Sequence, residues 1–109
     1  MIKTAVVTAI GSFSADIVIK KLKKNAIRVI GCDIYPREWI ADSANVDRFY
    51  TVPYATDREC YVNRMVTICR EENAEALLVL TDAEVDVLNC FREVFAREGI
   101  LLCLPSEEA

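Results

Sequence analysis

Within its first 33 residues the chain holds a complete β-α-β unit that ends on an acid. Residues 4–8 are a short apolar, β-branched run, Gly11 and Ser12 follow as a turn, and a helical pattern comes next. Residues 27–32 form a second apolar run that stops at Asp33. Two strands joined by a helix read as parallel neighbours, and a parallel sheet needs cover on both faces. That layout places Gly11, Ser12 and Asp33 at the carboxyl ends of adjacent strands, where open α/β sheets bind ligands. The unit contains neither G-x-G-x-x-G nor G-K-[ST], so both standard phosphate cradles are missing. By themselves these residues predict a nucleotide-binding-like fold with no chemistry attached.

The remainder of the chain extends the same architecture. Ala15, Val18, Ile19 and Leu22 fall at i, i+3, i+4 and i+7 on the first helix, with Ser12 or Ser14 as its cap and Asn25 as its stop. Residues 34–56 mix aromatic and acidic side chains around Pro36, with one short helical turn expected at Trp39, Ile40 and Ala41. Residues 49–52 read as a third strand, and Pro53 puts it at a sheet edge. Asp57 caps a second helix that buries Tyr61, Met65, Ile68 and Cys69. Residues 76–80 are a fourth strand, and a third helix burying Val87, Leu88, Phe91, Val94 and Phe95 runs on to Gly99. Residues 100–104 are a fifth strand. This order predicts a single α/β domain over residues 1–109, a three-layer α/β/α Rossmann-like parallel sheet of about five strands.

Composition removes several function classes. With 109 residues the chain can bury about two-thirds of its unfolded surface, and a 53% hydrophobic content with three Gly and three Pro leaves little linker. A net charge of −4 argues against a nucleic-acid partner. Lys20, Lys21, Lys23, Lys24 and Arg28 are read as cations offsetting the negative end of the first helix. Five cysteines without a C-x-x-C pair, in a chain without histidine, give no zinc framework and fit reduced core thiols of a cytoplasmic protein. No run reaches membrane-spanning length. Without histidine, Ser12 has no base for triad chemistry, and no thiol has an activating neighbour.

The candidate site residues are polar groups after strands one, two and four. Gly11 and Ser12 can present backbone N–H groups to a phosphate or carboxylate, or form an ordinary capped turn. Asp33 can accept hydrogen bonds from a ribose or an amine, or end its strand in solvent. Thr81, Asp82 and Glu84 can bind an amine or a metal, but Thr81 and Glu84 also have capping-box spacing. Tyr35 and Trp39 are expected to pack rather than to serve as stacking platforms. On these residues alone, a free-standing nucleotide- or small-ligand-binding module stays open. A receiver-like signalling domain would need acids after strand one, where Ala9, Ile10 and Gly11 stand.

Read end to end, the chain resembles the N-terminal, pre-ATP-grasp domain of carbamoyl-phosphate-synthase-like ATP-grasp ligases. The likeness is carried by Ile17 to Lys24 leading into Val29, Ile30, Gly31, Cys32 and Asp33. It continues in Ala44 to Tyr50 with Val52 and Pro53, similar to an A-x-x-A-D-x-x-Y-x-V-P stretch with Val46 at the second alanine. Residues 76–84 resemble the strand before a D-x-E-L turn, with Val85 in place of leucine, and residues 99–106 resemble the exit from the domain. The first loop, Ala9 to Ser14, departs from the synthase pattern in lacking a second glycine and a proline.

The resemblance implies a parent protein that uses ATP and magnesium to activate a small-molecule carboxylate as an acyl-phosphate for attack by a nucleophile. It implies that ATP and metal sit in a downstream ATP-grasp domain, the partner of this one, beyond Glu107, Glu108 and Ala109. No cofactor and no catalytic residue are then expected in these 109 residues. Gly11, Ser12, Asp33, Thr81, Asp82 and Glu84 are expected to form one wall of the substrate cleft. The exposed edge near residues 49–52 admits pairing into a homodimer.

Overall fold

A computed structural model describes residues 3–11, 13–35, 37–40 and 45–103, without the side chains of Phe13, Ser14 and Arg37. Five strands, β1 (Thr4–Val7), β2 (Arg28–Asp33), β3 (Arg48–Thr51), β4 (Ala76–Leu78) and β5 (Leu101–Cys103), form one sheet in the order β3-β2-β1-β4-β5. Every pairing is parallel. The helices are α1 (Phe13–Lys24), α2 (Arg58–Glu72), α3 (Asp82–Cys90) and α4 (Arg92–Arg97), with a short 3-10 turn at Arg37–Trp39. The expected Rossmann-like α/β fold is therefore the observed one, and β3 lies at an edge, as Pro53 predicted.

Two apolar layers follow from the alternation of side chains along β1 and β2. Val6 and Ile30 point into one layer with Tyr61, Met65 and Ile68 of α2, Leu88 of α3 and Phe95 of α4. Val7 and Val29 point into the other with Ala15 and Ile19 of α1, Ile40 and Val46. The chain winds outward from β1 to β2 and β3, then returns to β4 and β5 on its other side. Right-handed crossovers in these opposite directions put α1 on one face and α2, α3 and α4 on the other. Gly31 marks a close approach: a Cβ there would lie 2.8 Å from Val46 Cγ1 and 2.9 Å from Ile10 Cδ1.

Three helices end in the same way, with the chain turning through a left-handed residue so that the next amide reaches back five residues. Ala26 (φ 60°), Asn73 (φ 56°) and Gly99 (φ 74°) are those residues. Ile27, Ala74 and Ile100 then donate to the carbonyls of Leu22, Cys69 and Phe95 at 3.0, 2.9 and 3.0 Å. Asn25 adds a side-chain hydrogen bond to the Lys21 carbonyl at 2.8 Å, its predicted stop role.

Several expectations need correction. The third helix is two: Phe91, with φ −110° and ψ 23°, separates α3 from α4. Arg28 is no helix-end cation but the first residue of β2, 2.6 Å from the buried carboxylate of Glu72. Only Cys32 and Cys69 are buried; Cys60 and Cys90 are exposed and Cys103 is intermediate, all of them free thiols. Asp57 stands at the start of α2 but makes no side-chain cap. The cap read on Ser12 or Ser14, the turn residue Ala41, Ala44 and the exit through Leu104, Pro105 and Ser106 fall outside what is described.

Candidate functional site at the strand ends

The order of the strands reverses at β1, whose neighbours β2 and β4 lead the chain away in opposite directions. A crevice opens where that happens in open α/β sheets. Here it is a cleft of about 620 Å³ at the carboxyl ends of the strands, lined by segments following β1, β2, β3 and β4. Of the predicted site residues, Gly11, Asp33, Thr81 and Glu84 line it together. Asp82 is exposed and is not among the lining residues, and Ser12 lies outside the described residues.

Asp33 is 6% exposed at the end of β2. Its Oδ2 accepts from the Gly11 amide at 2.9 Å, and its Oδ1 accepts from the Tyr35 amide at 3.1 Å. The Ile10 amide reaches the Cys32 carbonyl at 3.3 Å, so the turn after β1 is laid onto the end of β2. Ala9 pays for this tight path with a left-handed φ of 50°, uncommon for a residue with a side chain. The amide that the sequence offered to an external anion is thus occupied by the protein's own carboxylate. A Cβ on Gly11 would lie 3.2 Å from Asp33 Oδ2 and 3.0 Å from Ile40 Cδ1, so a side chain there would have to push both back by a few tenths of an ångström.

Across the cleft, Glu84 is 8% exposed. The Thr81 hydroxyl donates to its Oε1 at 2.7 Å, and the Tyr61 hydroxyl donates to its Oε2. Thr81 precedes α3 in extended conformation but makes no side-chain cap, so the capping-box spacing is used for a side-chain pair instead. Burial, followed by the charge and hydrogen bond of Glu84, pushes the Tyr61 phenol well above its usual range. Behind them, burial and then the charge of Glu84 raise the Cys32 thiol, which donates to the Val7 carbonyl at 3.6 Å. Tyr61 reads from the sequence as a core residue only. Its signal is a phenol on a buried helical face, which needs a polar partner.

The rim of the cleft is aromatic. Tyr35 and Trp39 stack with ring centroids 5.9 Å apart and planes at 28°, yet are 46% and 72% exposed. Tyr54, 62% exposed, joins them in lining the cleft. The expectation that Tyr35 and Trp39 are buried packing is therefore corrected: they pack on each other and leave ring area to solvent. No arginine or lysine lines the cleft among the described side chains, and none of their acids or thiols are grouped closely enough to hold a metal ion. Among the described residues the donor set does not fit a polyphosphate, since the lining charges are carboxylates and the Gly11 amide is occupied, and the two acids are not grouped to hold a metal ion.

The family model described as "PylC-like, N-terminal domain" matches residues 6–103. Among solved structures, the biotin carboxylase subunit of pyruvate carboxylase superposes with a TM-score of 0.69 at 16% identity, over 94% of this chain and 22% of that one. The biotin carboxylase domain dimer of 2-oxoglutarate carboxylase from Hydrogenobacter thermophilus, in complex with MgADP, ADP and bicarbonate, gives 0.68 at 21% identity over 94% and 22%. Urea carboxylase from Kluyveromyces lactis gives 0.66 at 15% identity over 93% and 9%. At these identities the likeness is one of fold, and the chain spans less than a quarter of each of these proteins. No curated protein sequence is similar enough to the chain to count as a match.

Proposed function

Because the chain belongs to the family of PylC-like N-terminal domains, we propose that it forms one wall of the substrate cleft of a cytoplasmic ATP-grasp carboxylate ligase of carbamoyl-phosphate-synthase type. In this reading residues 1–109 are one pre-ATP-grasp domain with no catalysis of its own, and a companion ATP-grasp domain supplies ATP and magnesium. The observation that carries the reading is the cleft at the strand ends: four separate loops converge on it, and its polar floor lies under exposed rings. The fold-level likeness to the biotin carboxylases, one of them in complex with MgADP and bicarbonate, supports the same assignment.

What the domain contributes is position. Gly11, Asp33, Thr81 and Glu84 sit on strand ends and helix starts braced by hydrogen bonds, so groups bound there are held by a rigid frame. Asp33 and Glu84 accept hydrogen bonds, and the apolar lining excludes water from whatever they bind. The exposed rings of Trp39 and Tyr54 offer apolar area to the substrate and to the companion domain that closes over it.

Isothermal titration of the chain with Mg·ATP tests the assignment. No saturable heat is expected at millimolar nucleotide, whereas micromolar binding overturns it in favour of a free-standing nucleotide module. The coding sequence beyond Ala109 gives a second check, with an ATP-grasp domain as the expected continuation.

A further inference from the structure

We propose that this cleft receives the cationic end of its ligand, an alkylammonium group, and leaves any carboxylate of that molecule to the companion domain. The proposal deepens the cleft reading above and rests on it.

Three buried acids differ in what surrounds them. Glu72, on the far side of the fold, is 8% exposed and has two arginines on it, Arg28 at 2.6 Å and Arg48 at 3.2 Å. Buried charges ordinarily have such partners. Asp33 and Glu84 are equally buried, but the four donors that reach them among the described residues are neutral: two amides and two hydroxyls. Neither carboxylate has an ion pair among the described residues, and both line the same cleft. The missing positive charge is therefore one that the cleft can admit from outside. Each carboxylate oxygen keeps a second lone pair for it.

The rim and walls specify what kind of cation. Tyr35, Trp39 and Tyr54 present π faces, which attract ammonium groups. Ile34, Ile40 and Val52 line the space between rim and floor and suit a methylene stem. A bare metal ion fits poorly, because the acids do not form a group that could hold one. An anion meets two carboxylates, no lining lysine or arginine among the described residues, and a Gly11 amide already bonded to Asp33.

The test is an NMR titration of the 109-residue chain, ¹⁵N-labelled, at physiological salt. Three five-carbon probes are used: n-pentylammonium, its isostere 1-pentanol, and pentanoate. Pentylammonium is expected to shift the amides of Gly11, Tyr35 and Thr81 saturably and to bind at least about five-fold more tightly than pentanol, an ordinary strength for a charge-assisted contact. Pentanoate is expected to give no saturable shift. Glu84→Gln should lower pentylammonium binding to the pentanol level while leaving pentanol unchanged. As a check independent of the cleft floor, Trp39→Leu keeps apolar area on the exposed rim but removes the π face. It should weaken pentylammonium about two- to five-fold and pentanol by less than two-fold. If pentanol or pentanoate binds at these amides as tightly as pentylammonium, the cleft reading stands and the ammonium proposal is overturned. If no probe shifts them, both are overturned.

Discussion

The carboxylate of Asp33 accepts a hydrogen bond from the amide of Gly11, 22 residues earlier in the chain, at 2.9 Å. Through this contact the end of β2 holds the turn that follows β1, and the opening of the cleft acquires its shape. Asp33→Ala removes the acceptor for both Gly11 and Tyr35. The expected loss is about 1–2 kcal/mol in urea unfolding, since the freed amides lie near the surface and regain water. Amide exchange at Gly11 and Tyr35 should accelerate more than exchange in β4. An unchanged exchange rate at Gly11 would show that the contact is not a brace.

Tyr61 and Glu84 join α2 to α3 beneath the cleft. Tyr61→Phe should destabilise the chain by about 1.5–3 kcal/mol, because a hydrogen bond to a charged group is lost inside the core. In a double-mutant cycle with Glu84→Gln the two changes should be non-additive by more than about 0.5 kcal/mol. The phenol's pKa is raised by folding, so its stabilisation is present in full below pH 10, its unfolded value, and is lost as pH rises toward the higher folded one. The alkaline limb of the wild-type stability curve should flatten in Tyr61→Phe.

Glu72 predicts behaviour in acid. Burial alone would raise its pKa, but hydrogen bonds from Tyr50 and Arg28 and the charges of Arg28 and Arg48 outweigh burial and hold it below 4.5. A depressed folded value means that the carboxylate stabilises the fold fully above pH 4.5 and ceases to do so as pH falls through the lower folded value. Glu72→Gln should lower stability at pH 7, and the difference from wild type should shrink steadily below pH 4.5. Equal displacement at every pH would rule out this ion cluster as the cause.

The thiols should report the fold. Cys60 and Cys90 are exposed, so two fast equivalents are expected with DTNB, a slower one from Cys103, and none from Cys32 or Cys69 until the chain unfolds. A hydrogen bond from the Cys60 thiol to Asp57, followed by that carboxylate's charge, raises the thiol's pKa. Asp57→Asn should therefore quicken the reaction of Cys60 near neutral pH.

What could be read in advance is what is written in local pattern. The apolar runs, the buried faces of α1 and α2, the left-handed stop at Gly99 and the edge position of β3 all follow from residues close together in sequence. Four of the six proposed site residues meet in the cleft, because a parallel sheet sends every strand's carboxyl end to the same side. Partners distant in sequence were not legible. Nothing near Arg28 points to Glu72, 44 residues on, and nothing near Tyr61 points to Glu84, 23 residues on. The break at Phe91 was hidden because its apolar side chain continues the helical period while its backbone leaves it. The rings of Tyr35 and Trp39 were misjudged because large apolar area is usually buried, and here it faces an opening.

The grip of Glu72 on Arg28 and Arg48 has a consequence for alignment of the sheet. A slip of β3 along β2 by two residues would keep every side chain on its face while moving the strand by about 6.6 Å. Such a slip would carry Arg48 away from a carboxylate that also anchors Arg28, so the correct setting is selected at the end of the sheet opposite the cleft. Strand register and the cleft are thereby assigned to opposite poles of the molecule. Side chains around the cleft can be exchanged as a set without disturbing the latch that tells each strand where it belongs.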